Sequence, residues 1–190
     1  MSVDISLFAL IVLCAGAGAF PQGATAETCE SMIPRHVTTK PSKNSNSPYT
    51  FVASSNHYNE TSKKIIVDLG GAPFKGFLIA AIDPVTNERI GTWLKSQGMD
   101  TLPCSAVTHT NARPKISATL IWTPPSNKKI GEVIFLGTIV RSFDTYYSNL
   151  LAAIPADGFY LPRFKHTKRN NTVFQDTSSQ AEDKLRYHSV

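Results

Sequence analysis

From residue 49 onward the chain breaks into short apolar segments separated by turn residues. "YTFVAS" (49–54) is apolar and partly β-branched, and "KIIVDL" (64–69) alternates, with Ile65, Val67 and Leu69 on one face. Gly70-Gly71-Ala72-Pro73 reads as a turn. "FKGFLIAAI" (74–82) is nearly all apolar and stops at Asp83-Pro84. That is the pattern of a strand covered on both faces, although a short buried helix gives the same pattern. "IGTWL" (90–94) follows. "ISATLIW" (116–122) alternates again, with Ile116, Ala118, Leu120 and Trp122 facing one way. "EVIFLGTIVRSF" (132–143) is the longest apolar run of this region. About seven short strands over roughly 100 residues, with no convincing amphipathic helix, predict an all-β antiparallel sandwich. Trp93 and Trp122 are expected in its core. Tyr146 and Tyr147, after the longest run, either close the end of the sandwich or present a contact surface.

The flanks differ. Residues 20–48 are rich in Pro, Ser, Thr and Asn, and Pro34, Pro41 and Pro48 exclude a long helix. This segment is expected to be an ordered loop pinned by Cys29. After Ala156 the chain turns polar, and residues 161–190 read as a disordered tail. At the other end, the run Leu7–Leu13 is followed by Ala17-Gly18-Ala19. The run is too short for the ~20 residues of a membrane span. Together with the small residues it predicts a signal peptide over 1–19 and a soluble, released product.

Secretion changes the cysteine count. Of three cysteines, Cys14 leaves with the signal, and Cys29 and Cys104 remain. In an oxidising compartment this even pair is read as a structural disulfide, with a metal site or a catalytic thiol as alternatives. The C-x-x-C spacing of a zinc site is missing. A bond across this loop stabilises by roughly 4 kcal/mol in the chain-entropy model. Two N-x-[ST] sequons, at Asn59 and Asn170, suit the secretory route.

Formal charge is +5 and rises to +6 once Asp4 is removed with the signal. The excess lies in loops (Lys63, Lys64, Lys128, Lys129) and in a denser group, Arg163, Lys165, Lys168 and Arg169. These are candidate contacts for anionic surfaces, against the plain alternative of a solvated exterior.

The sequence carries no G-x-S-x-G, H-E-x-x-H, P-loop or G-x-G-x-x-G pattern. The five histidines are scattered, none with a second ligand at helical or turn spacing. His109, between Thr108 and Thr110, is either a ligand contact or a loop histidine bonded to its own surroundings. The reading is a non-enzyme without cofactor or metal, and nothing points to nucleic acid or to stable membrane insertion.

Several segments occur together and in order: "FPQGA", "CESMIPRH", "PYTF", "FKGFLIAA", "GTW", "CSAVTHTN", "WTPP" and "GEVIFLGTIVRSFDTYY". Over about residues 20–160 the chain resembles the Reeler domain, most closely the small secreted insect defence proteins of the noduler type. The resemblance implies an immunoglobulin-like β-sandwich with Cys29 bonded to Cys104. It implies a haemolymph protein of innate immunity, responsive to infection, that meets microbial surface components such as lipopolysaccharide or β-glucan. The alternative is an extracellular adhesion or matrix module without antimicrobial activity. Reeler domains also open larger ferric-chelate reductase-like proteins. Their reductase chemistry needs a haem domain and membrane helices that this sequence does not show.

Overall fold

The computed structural model describes residues 22–34 and 40–155; the expected signal peptide, the tail after Ala156, Asn170 and the basic group 163–169 lie outside them. Eleven strands run through the described residues: β1 (Thr50–Ala53), β2 (His57–Tyr58), β3 (Ile65–Gly70), β4 (Gly76–Ile82), β5 (Thr92–Trp93), β6 (Met99–Leu102), β7 (Ala106–His109), β8 (Ala118–Thr123), β9 (Gly131–Glu132), β10 (Ile134–Val140) and β11 (Tyr146–Leu151). They form a four-stranded sheet β1-β3-β8-β5, a five-stranded sheet β11-β10-β4-β7-β6 and a small pair β2-β9. All of these strand pairings are antiparallel. The predicted all-β, immunoglobulin-like antiparallel sandwich is therefore the observed architecture.

Period-two alternation builds the core. Ile65, Val67 and Leu69 of β3, with Ala118, Leu120 and Trp122 of β8, face Phe77, Ile79 and Ala81 of β4 and Phe135 and Ile139 of β10. Trp122 and Trp93 are core residues, each edge-on to Phe135 at 5.6 Å between ring centroids. Burial strands no indole N–H: Trp122 donates to the Ile90 carbonyl (3.0 Å) and Trp93 to that of Ser105 (2.9 Å).

One expectation needs correction, and one pair of alternatives is decided. Ile116 is 73% exposed and lies outside β8. The pairing of β8 with β3 ends at Leu69↔Ala118, and the turn after Gly70 gives residue 116 no strand to lie against. Tyr146 and Tyr147 belong to the fold and present no contact surface. Both are buried in β11, and Tyr147 packs edge-on against Tyr49 at 5.5 Å. The outer edge of β11 is covered by the N-terminal segment, since Ser42 N–H donates to the Tyr146 carbonyl (2.8 Å) and Asn44 Nδ2 to that of Ser148 (2.9 Å).

β4 is buried along its whole length, as its unbroken apolar run predicts. One face meets the opposite sheet. The other, through Leu78 and Ala80, meets Met32 of the N-terminal segment together with Ala106 of β7. Residues 22–34 thus form a strap across the outer face of the five-stranded sheet.

Candidate functional site

Four ties hold the strap. Cys29 and Cys104 are bonded, with Cα atoms 6.1 Å apart across 75 positions of sequence. Thr138 Oγ1, on the outer face of β10, donates to the Met32 carbonyl at 2.6 Å. Ala24 N–H donates to Thr108 Oγ1 (3.0 Å), which in turn donates to the Phe77 carbonyl (2.8 Å). The Arg89 guanidinium donates to the Cys29 carbonyl. The two mid-strand threonines, polar where apolar residues are expected, are there to receive the strap.

Between the strap and the sheet lies a pocket of about 240 Å³, reached at the ends of β4, β7 and β10. Its walls are mainly apolar, with Met32, Leu78 and Val140 prominent, and Lys75 is the one formally charged residue among them. Glycine is required in two places. At Gly76 a Cβ would sit 2.5 Å from the His109 ring, and at Gly23, with φ +114°, it would sit 2.1 Å from the His109 carbonyl oxygen.

His109 ends β7 and bonds across to β4, so of the loop histidine bonded to its own surroundings the bonding holds and the loop does not. Its Nδ1 lies 3.2 Å from the Phe77 nitrogen and 3.2 Å from the Phe77 carbonyl oxygen, which also accepts from Thr108 Oγ1. With the proton on Nε2, Nδ1 accepts from the Phe77 N–H; a proton on Nδ1 is donated to the Phe77 carbonyl instead. Burial pushes the imidazole pKa below its ordinary value. The Phe77 carbonyl, which accepts from a protonated Nδ1, works the other way, and the nearby Lys115 ammonium adds to the depression. Lys115 itself is held by the carbonyls of Asn111 (2.6 Å), Lys75 (2.9 Å) and Arg113 (2.9 Å). One polar group in the pocket wall has nothing to bond: Thr25 Oγ1 is buried without a partner. Among the described residues no cluster of three or more His, Cys, Asp or Glu could hold a metal ion.

The opposite end of β4 carries the loop lysines. Lys128 pairs with Asp83 at 2.6 Å, and Lys129 with Glu60 at 2.8 Å. The Lys128 hydrogen bond, with the Val85 N–H, holds the Asp83 carboxyl below its ordinary pKa and raises that of the lysine. Lys63 and Lys64, just before β3, are exposed, and among the described residues neither forms an ion pair with a carboxylate. Asn59 is exposed in the same loop system; its Oδ1 accepts from Thr61 Oγ1 (2.7 Å) and from the Ser62 N–H (2.7 Å). The four loop lysines are thus brought to one end of the sandwich, two of them already engaged. Sequence reading did not find the pocket. Its signals were the two threonines of β7 and β10 and the apolar Met32 within a polar loop.

Among the described residues the molecule is a disulfide-strapped antiparallel sandwich with a pocket under the strap and a basic end. A family model described as the Reeler domain matches residues 27–154, and the chain belongs to the Reeler domain family. It is 31% identical to "Putative defense protein 3" of Antheraea mylitta, covering 79% of this chain and 94% of that one. It is 31% identical to "Defense protein l(2)34Fc" of Drosophila melanogaster, covering 74% and 93%. It is 29% identical to "Ferric-chelate reductase 1" of Mus musculus over 76% of this chain, but spans only 25% of that protein. The likeness to the reductase thus involves a quarter of its length. Among the described residues no helix is long and apolar enough to cross a membrane.

Proposed function

We propose that this Reeler protein is a secreted innate-immune defence protein that binds microbes through anionic groups on their surfaces. The observation that carries the reading is coverage. The chain spans 94% and 93% of two relatives named for defence, so the similarity extends to nearly all of each. The reductase likeness covers a quarter of that relative, and its activity is not carried over. The surface contact is assigned to the basic end, where Lys63 and Lys64 stand exposed beside the paired Lys128 and Lys129. Secretion follows from the N-terminal apolar run and small residues. Glycosylation at Asn59 fits its exposure in a loop, and Asn170 is the second acceptor.

The test is a pull-down of the protein, purified from a eukaryotic secretion host, against whole bacteria, lipopolysaccharide, β-glucan and host extracellular matrix. All are compared at physiological ionic strength. Binding to one or more microbial components and not to matrix supports the reading. Binding to matrix alone replaces it with an adhesion module.

A further inference from the structure

Three loops meet at the basic end, and two ion pairs brace them. Lys129 to Glu60 ties the 124–130 loop to the loop before β3, and Lys128 to Asp83 ties it to the turn after β4. Asp83 also holds that turn from inside. Its side chain is buried, and its Oδ1 accepts the N–H groups of Val85 (2.9 Å) and Thr86 (3.3 Å). Val85, in the middle of this fixed turn, is 88% exposed, and Ile130, next to Lys129, is 70% exposed. With Ile116 they are the three most exposed large apolar side chains among the described residues, and two of the three lie at this end. Pro84, beside Val85, is exposed as well. Turns favour Gly, Pro, Asn, Asp and Ser, so the backbone does not call for a valine here. Apolar residues scattered singly over a surface need no explanation, but two on loops tied together do. Charge at this end is modest. Asp83 and Glu60 engage Lys128 and Lys129, so Lys63 and Lys64 carry the attraction, opposed by the exposed Glu88. Lysines beside exposed aliphatic side chains suit a partner that is anionic outside and hydrocarbon within.

We propose that the basic end docks on an anionic lipid layer, with Val85 and Ile130 entering the boundary between headgroups and acyl chains while Lys63 and Lys64 meet the headgroup phosphates. The proposal rests on the surface-binding reading above and names its partner, acyl chains beneath phosphate. Lys128 and Lys129 act mainly as braces, and because they hold the loops before contact, little ordering entropy is lost on docking. The contact is shallow: two side chains reach the interface, and the chain does not cross the layer.

The experiment uses the full chain from the secretion host, with any N-linked sugars trimmed enzymatically to the first residue so that no branched glycan stands over Asn59. Co-sedimentation with vesicles of phosphatidylcholine and phosphatidylglycerol gives the affinity. Val85→Ser with Ile130→Ser should lower it by about a hundredfold, about tenfold for each aliphatic side chain withdrawn from the interface. Binding of this double variant to dextran sulfate, an anionic polymer without acyl chains, should match that of the parent. Ile116→Ser, similarly exposed but at the opposite end of the sandwich, should bind vesicles like the parent. All three positions are exposed, so melting temperatures should not move. Val85→Trp reports depth: lipids brominated on their acyl chains should quench its emission, while Trp93 and Trp122 lie buried in the core. The proposal is overturned if the parent binds bacteria but not the vesicles, if the double serine variant binds vesicles like the parent, if Ile116→Ser loses as much, or if brominated lipid leaves Val85→Trp unquenched. In any of these cases weaker binding of Lys63→Gln, Lys64→Gln to bacteria keeps the surface reading standing without insertion. A parent that binds neither vesicles nor bacteria overturns both.

Discussion

At the Asp83 end of β4 the charged groups face water and largely have partners; at the Gly76 end the polar groups are enclosed by apolar side chains, and Thr25 Oγ1 has none. The two ends are about 20 Å apart along one strand. A lysine paired with a carboxylate presents little net charge to an approaching surface, so Lys128 and Lys129 add less to an electrostatic contact than their number implies. An enclosed polar group is the opposite case, since it meets no approaching surface at all. Charge counted along a sequence locates the first end and is blind to the second.

The largest effect should come from releasing the strap. Cys104→Ala is expected to cost about 2–5 kcal/mol in chemical denaturation. The core of Trp122, Phe135 and Leu120 lies between the sheets, away from the bond, so the variant should keep its β-sheet circular dichroism below the transition. A wild-type midpoint would show that the strap does not depend on the disulfide. Gly76→Ala comes next, because its Cβ would meet the His109 ring, which is hydrogen-bonded in place. A loss of about 1–3 kcal/mol is expected, the usual cost of overpacking. Equal stability would mean that the ring moves freely.

At the basic end, Lys63→Gln with Lys64→Gln should lower binding to anionic vesicles by about thirtyfold, since each lysine near such a surface contributes about 1 kcal/mol. The Lys128→Gln and Lys129→Gln pair should lower it less, because Asp83 and Glu60 already offset those charges. Equal losses from the two pairs would remove the distinction between free and engaged lysines. The smallest effect is a pH dependence. The folded pKa of His109 lies below its ordinary value of 6.5, so in the window beneath 6.5 the unfolded chain binds more protons than the folded one. Stability therefore falls as the pH drops through that window and is unaffected by this residue above it. His109→Gln should flatten the corresponding part of a denaturation series between neutral and mildly acidic pH, and an unchanged slope would assign it to other groups.

The sandwich was legible where burial is one- or two-sided and the residues say so. The alternation of β3 and β8 gave their inner faces, and the unbroken run of β4 called for a cover on both sides. What supplied the outer cover was not legible, because residues 22–34 carry no period and only Met32 and Cys29 hint at packing. β6 and β7 escaped notice for a related reason. "AVTH" is a strand because β4 offers it register (Leu78↔Thr108, Ala80↔Ala106), and "MDTL" because β7 does (Met99↔His109, Leu102↔Ala106), which local composition does not record. The two tyrosines of β11 were undecidable since both are buried, and alternation predicts that only one would be. The pocket depends on Thr25, Gly76 and His109, which are far apart in sequence and meet only once the strap is in place.

Salt dependence of binding to intact bacteria tests the central claim, contact through the basic end, most directly. From about 0.01 M to about 1 M salt the screening length falls from about 30 Å to about 3 Å. The account predicts that affinity drops steeply over this range, and that the Lys63→Gln, Lys64→Gln variant shows a shallower drop from a lower start. Binding that stays constant across the range, in the parent and in the variant, would contradict it.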